Sequence, residues 1–149
     1  MDRFAQILYD LGKEIGIDLY PDPKRICQIN FQDQIHIQLQ YDEPKERLLI
    51  ATFLCDVPPG KFREKLLKET LKSNGEYPRF GTFGYSERNN KLTLFEYVYP
   101  THFSSEKLFK ILEQFIEKAL LWKEAIEKGR ALPTLQGPSK GESMFGLKP

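Results

Sequence analysis

The order of the apolar segments limits the folds open to this chain more than any other feature. From about residue 2 to residue 15, apolar residues recur at helical spacing, and Gly16 follows as a residue that can end a helix. From Ile35 to Tyr41 they alternate with polar residues, which indicates a strand with one buried face. The whole series predicts a helix, three strands, a second helix, two strands and a long final helix. Such an order favours an α+β fold, in which helices pack on a twisted, mostly antiparallel sheet of about five strands.

The other predicted elements are bounded by prolines, glycines and polar turns. The segment from Leu48 to Cys55 is apolar on both faces, so we predict a central strand that is covered on two sides. A second helix is predicted to end near Gly75, with this glycine as a left-handed cap. The last helix is predicted to begin after Ser104, its N-cap, and to end at Gly129. Further strands are predicted at 26–31, 80–86 and 91–99.

The length of 149 residues fits a single domain, which buries enough surface at this size to form its own core. We predict that this domain covers residues 1–130. Residues 131–149 are rich in glycine and proline and lack apolar periodicity, so a flexible C-terminal tail is predicted there.

Charge and cysteine content restrict the partners that the sequence predicts. The 22 basic and 21 acidic residues leave a net charge of +1, which gives no reason to expect nucleic acid as a partner. Cys27 and Cys55 lack the spacing of a zinc or redox site and indicate a reducing compartment. With no signal-peptide pattern and no run of about 18 apolar residues, the chain is predicted to be cytoplasmic and away from the membrane.

No motif in the sequence indicates catalysis, so we predict that the protein is not an enzyme and needs no metal or cofactor. His36 and His102 are the two histidines, and neither has a catalytic partner within motif spacing. The chain has no GxSxG, GxxxxGK or HExxH pattern. A catalytic pair brought together only by the fold is the alternative that the sequence leaves open.

Several short apolar patterns occur in an order and spacing that resemble the small class I chaperones of type III secretion systems, the CesT/SycE-like family. The resemblance covers about residues 4–128. The residues that carry it are Leu11-Gly12 with Gly16, Ile35 to Leu39, Leu48 to Leu54 with Val57-Pro58-Pro59, Leu66-Leu67, Ser73-Asn74-Gly75, Gly81 to Tyr85, Phe115-Ile116 and Trp122.

The resemblance implies a dimer of α-β-β-β-α-β-β-α subunits that works without ATP. Such a chaperone binds the N-terminal chaperone-binding segment of a secreted effector and keeps it soluble and competent for secretion. The segment wraps around the dimer in extended form, with short helices and an added strand. A homodimer is implied first, and a heterodimer with a related chaperone is the alternative.

Two sets of site residues follow from the resemblance. The dimer interface is expected to include Phe62, Leu66, Leu67, Leu71 and Tyr85. The client groove is expected to include Phe4, Leu8, Leu11, Ile26, Gln38 and Ile50. The competing hypothesis is a sensory or adaptor domain of similar α+β fold, which would bind a folded partner or a small ligand.

Overall fold

The computed structural model describes residues 2–77, 80–102, 104–129 and 132–133. The three helices are α1 (Arg3–Ile15), α2 (Lys61–Asn74) and α3 (Ser105–Glu127). The five strands are β1 (Ile26–Phe31), β2 (Ile35–Asp42), β3 (Arg47–Asp56), β4 (Thr82–Ser86) and β5 (Lys91–Val98), and a short 3-10 helix covers Pro100–His102. The predicted α+β fold and the order of its elements are therefore confirmed.

The strands form one antiparallel sheet in the order β1-β2-β3-β5-β4. Strand β3 lies in the centre of the sheet, as its apolar sequence predicted, while β1 and β4 form the two edges. Residues that face each other across the ladders share a face of the sheet, as Leu39 and Ile50 do. The register of the pairs fixes which side chains enter the core.

Helices α1 and α3 cover one face of the sheet, which we call the inner face. Helix α3 lies across β2 and β3, and α1 packs against α3. The stripe of α3 that includes Phe115 and Trp122 is fully buried, and the rings of Trp122 and Phe83 lie 4.5 Å apart between centroids. Burial of this apolar surface is the main favourable term in folding the domain.

The helix ends agree with the sequence except at one glycine. Ser104 caps α3 as predicted, since its hydroxyl accepts a hydrogen bond from the Lys107 N–H at 3.2 Å. Gly16 ends α1 in the left-handed region at φ 92°, also as predicted. Gly75 was predicted as a left-handed cap, and this is wrong, because its φ is −89°. Its N–H instead closes a tight last turn on the carbonyl of Lys72.

Strand β3 is covered on one face only among the described residues, which corrects the prediction of a strand buried on both sides. Leu48, Ile50 and Leu54 face the core, whereas Phe53 is 51% exposed on the opposite face. The apolar residues of that second face therefore lie on the surface of the protomer.

The predicted tail at 131–149 falls outside the described residues, apart from 132 and 133. Leu132 is completely buried and belongs to the hydrophobic core. The packed part of the chain thus reaches beyond residue 130, because at least this leucine packs into the core after α3 ends.

Candidate protein-binding surfaces

Strand β1 offers main-chain hydrogen-bonding groups at one edge of the sheet. At Ile26 both groups point away from β2, since its N–H donates to the Asp22 carboxylate at 2.9 Å and its C=O accepts from the Asp22 N–H at 2.8 Å. Main-chain direction alternates along a strand, so the groups of Gln28 and Asn30 also point outward. No described residue bonds to those outward groups. From Gln28 to Asn30 the β1 edge is therefore open to another strand.

A groove lies between α1 and the loop that connects α1 to β1. It is a pocket of about 270 Å³ lined by Tyr9, Lys13, Ile17 and Tyr20 among others, and we call it the α1–loop groove. Tyr20 is 73% exposed and Tyr9 48% exposed, with the Lys13 ammonium 4.4 Å above the Tyr9 ring. The Tyr20 backbone lies close enough to the Cys27 thiol to oppose part of the rise in its pKa, which places the loop near β1. Aromatic side chains with one polar end suit the binding of apolar peptide side chains.

Gly12 determines the shape of the α1–loop groove. A Cβ at this position would lie 2.5 Å from the carbonyl oxygen of Ile17, closer than atoms can approach. The Ile17 N–H in turn donates to the Gly12 carbonyl at 3.1 Å. Only glycine allows the chain to fold back this tightly after α1.

Most of the predicted client-binding side chains belong to the core. Phe4, Leu8, Leu11 and Ile50 are each at most 1% exposed, because they lie on the inner face or on the side of α1 that packs against it. A client cannot reach them in this structure, and for these four the prediction does not fit. Ile26 and Gln38 are half-buried on the opposite face of the sheet, where a client could contact them.

Helix α2 and strand β4 form a second surface, the α2–β4 surface, to which the predicted dimer residues belong. Leu66 is completely buried and cannot contact a partner. Phe62 and Leu67 are half-buried, and Leu71 is 71% exposed. Tyr85 is exposed on β4, where its hydroxyl accepts a hydrogen bond from the Arg63 guanidinium at 2.9 Å. The structure therefore leaves four of the five predicted residues accessible around α2.

The face of the sheet opposite α1 and α3, which we call the outer face, was missed by the sequence reasoning. It carries Leu49, Phe53, Phe95 and Tyr97 on β3 and β5. The Phe95 ring lies over Gly84, where an added Cβ would be 3.4 Å from it, and meets the Tyr97 ring edge-on at 6.2 Å. The apolar residues on the second face of β3 could have indicated this surface, but that face was predicted to be buried.

The titratable groups of the described residues include two cysteines and two histidines. Burial raises the pKa of the Cys55 thiol to about 11, and burial also raises the pKa of Cys27. Both thiols therefore stay protonated and weakly nucleophilic at neutral pH. His36 is exposed on the outer face, and His102 stacks on Tyr99 with ring centroids 6.5 Å apart. Within the described ranges no three His, Cys, Asp or Glu side chains group as metal ligands, and no helix is long and apolar enough to cross a membrane.

Several solved structures share the fold of this chain. A chain of the HopA1–SchA chaperone–effector complex matches with a TM-score of 0.67 at 19% identity, covering 82% of this chain and 94% of its own. The ExsC–ExsE complex matches with a TM-score of 0.64 at 20% identity, covering 83% and 96%. The Yersinia pestis type III secretion chaperone SycH, bound to a fragment of YscM2, matches with a TM-score of 0.64 at 12% identity, covering 78% and 97%. At these identities the likeness shows a shared fold.

The sequence itself identifies the family. The family model of the Tir chaperone protein (CesT) family matches residues 6–123, from α1 into the C-terminal half of α3. The chain therefore belongs to the Tir chaperone protein (CesT) family, which confirms the resemblance drawn from its apolar segments. No curated protein matches the chain in sequence.

Proposed function

We propose that the protein is an ATP-independent type III secretion chaperone of the bacterial cytoplasm, which binds the N-terminal segment of a secreted effector in extended form. The observation that carries this proposal is the open β1 edge together with the α1–loop groove, in a chain of the CesT family. Chaperone–effector complexes among the structures of the same fold support it.

The geometry supports strand addition at β1 as the mode of binding. A client strand would pair with the outward main-chain groups of Gln28 and Asn30, which requires no particular client sequence. Its side chains would point alternately toward the α1–loop groove and toward Ile26 on the outer face. Main-chain bonds would then supply affinity and the groove would supply selectivity, without nucleotide hydrolysis.

We further propose that the α2–β4 surface joins two copies of the chain in a homodimer. Leu67 and Leu71 lie one helical turn apart on α2 and remain accessible, with Tyr85 nearby on β4. A patch shared by both copies is what a twofold interface needs. A heterodimer with a related chaperone would use the same surface.

The experiment compares Gln28→Pro with Gln28→Ala against the effector segment that co-purifies with the chain from its native cells. Proline removes the outward N–H of Gln28 and leaves the β1–β2 ladder intact, because no ladder bond uses that group. We expect Gln28→Pro to weaken binding of the recombinant segment by about tenfold or more, whereas Gln28→Ala keeps the N–H and binds normally. Equal binding by a folded proline variant would refute strand addition at β1.

Limited proteolysis separates the chaperone from a sensory or adaptor domain. A wrapped client should keep a protected segment of about 50 residues or more, since extended chain covers about 3.3 Å per residue and must pass around the dimer. An adaptor that docks a folded partner would protect a much shorter segment, and that result would overturn the chaperone proposal.

A further inference from the structure

Strand β4 is the second edge of the sheet, and a side chain occupies the main-chain groups at its middle residue. The amide nitrogen of Asn74 donates to the Phe83 carbonyl at 3.0 Å, and the Phe83 N–H donates to the amide oxygen of Asn74 at 2.7 Å. A neighbouring strand would make this same pair of bonds with Phe83. The carboxamide of Asn74 therefore takes the place of one residue of an added strand.

The position of this contact on β4 lets it block pairing with another strand. Strand β4 has only five residues, and Phe83 is the third of them. The next residue whose main-chain groups point away from β5 is Tyr85, and Arg63 of α2 holds its hydroxyl at 2.9 Å. Helix α2 thus lies along the edge and is fixed to it at both ends of this short stretch.

The β1 edge has a similar side chain that does not act in this way. The amide nitrogen of Asn30 donates to the Asp33 carboxylate at 2.8 Å, and its amide oxygen accepts from the Asp33 N–H at 3.0 Å. Both bonds stay within the β1–β2 hairpin. On β1 the outward main-chain groups are taken only at the first residue, where Asp22 bonds to Ile26, whereas Asn74 occupies those of the middle residue of β4.

We propose that Asn74 is a specificity-determining residue that closes the β4 edge to strand addition, so that an incoming strand pairs with this sheet only at β1. The partner that Asn74 excludes is the edge strand of a second copy of the chain, since two open edges would let protomers join into extended sheets. This role is separate from the proposed dimer, which uses side chains of α2 and Tyr85 and not the main-chain groups of β4, and it holds whichever client binds at β1.

Asn74→Ala in the full chain removes both bonds and leaves the helix propensity of α2 no worse. We expect the Phe83 amide to exchange its hydrogen about tenfold faster or more at low protein concentration. Sedimentation velocity should then show larger species that grow with concentration and are absent from the wild type. The Phe83 amide should regain protection as these species form, because a second β4 strand now bonds to it.

Two further variants make the test specific. Asn74→Asp keeps the acceptor for the Phe83 N–H but loses the donor to the Phe83 carbonyl, so its exchange rate should lie between those of the wild type and Asn74→Ala. The charge that it places at the edge should still prevent assembly. Lys68→Ala, at an exposed position of the same helix, should change neither measurement. If Asn74→Ala fails to fold by circular dichroism, Asn74→Ser carries the test, since its shorter side chain cannot bridge to Phe83.

Two results would overturn the proposal. Faster exchange at Phe83 without new assembly would reduce Asn74 to an anchor for the end of α2. Unchanged exchange at Phe83 would mean that the side chain does not hold the edge at all. Loss of client binding at β1 would leave either conclusion unaffected, because both measurements are made without a client.

Discussion

Leu71→Glu is the most direct test of the α2–β4 surface as a dimer interface. Leu71 is 71% exposed in the protomer, although it is a large apolar residue on a helix. A side chain this exposed contributes little to the core, and glutamate is a good helix former. We therefore expect the substitution to change the free energy of unfolding of the protomer by no more than about 0.5 kcal/mol.

The effect on assembly should be much larger. Full burial of a leucine yields about 1.5–3 kcal/mol, so burial of the exposed 71% yields about 1–2 kcal/mol for each copy. A twofold interface contains the residue twice, which gives about 2–4 kcal/mol, or about 30- to 700-fold in Kd. The carboxylate adds to this loss, because it would be buried without a partner.

Sedimentation equilibrium on the wild type and the variant measures this change in Kd. Leu121→Glu is the matched control, since Leu121 is 55% exposed on α3 and lies outside the proposed interface. We expect the control to assemble normally. A folded Leu71→Glu variant that dimerises as tightly as the wild type would refute the interface. A monomeric wild type would refute the homodimer and leave the heterodimer with a related chaperone to be tested.

Three further predictions concern helix α1, its N-cap and the Cys55 thiol. Gly12→Ala should lower the free energy of unfolding by about 1–2 kcal/mol, and with it the melting temperature. The clash of its Cβ with Ile17 outweighs the gain in helix propensity. The hydrogen bond from the Ala5 N–H holds the pKa of Asp2 below its ordinary 3.8, so Asp2→Ala should destabilise α1 at neutral pH. This difference should be lost as the pH falls below 3.8 through the folded pKa, as thermal melts at several pH values would show. Because burial raises the pKa of Cys55 from 9.0 to about 11, iodoacetamide at pH 8 should alkylate it about a hundredfold more slowly in the folded protein than in urea.

Two of these predictions have a matched control variant. Gly75→Ala should leave the melting temperature unchanged or raise it, since an added Cβ makes an ordinary contact of 3.5 Å. Asp2→Asn keeps a capping oxygen without the charge, so its stability should lack the acid transition that Asp2 contributes. The explanation for Gly12 would be contradicted if Gly12→Ala were as stable as the wild type. The explanation for Asp2 would be contradicted if the effect of Asp2→Ala persisted in acid. Equal alkylation rates of Cys55 in the folded protein and in urea would contradict the third explanation.

The fold could be predicted from sequence because helices and strands have different apolar periods. The alternation from Ile35 to Tyr41 predicted β2 to within one residue of its observed end at Asp42. The central place of β3 also followed from its apolar composition. Its second face was wrongly predicted as buried, because a strand that is apolar on both faces looks the same whether a helix or a partner protein covers it.

The orientation of α2 could not be predicted, since it depends on contacts that are distant in sequence. Leu66 and Leu71 are both apolar, yet the first is completely buried and the second is 71% exposed. The buried side of the helix also includes Glu69, at 4% exposure, which forms an ion pair with Lys72 at 3.5 Å. The bonds between Asn74 and Phe83 help to fix the rotation of α2 about its axis, and no local sequence pattern predicts them.

The proposed client site could not be predicted from sequence for a different reason, which also explains how such a site would tolerate sequence change. The sequence reasoning chose apolar side chains such as Leu8 and Ile50, which fill the core. The β1 edge consists of main-chain groups at Gln28 and Asn30, whose side chains show no apolar pattern. Proteins that share 12–20% identity with this chain keep its fold with TM-scores of 0.64 to 0.67. In the proposed mode, a binding edge made of main-chain groups survives such divergence wherever the strand survives, so selectivity among clients falls to the side chains of the α1–loop groove.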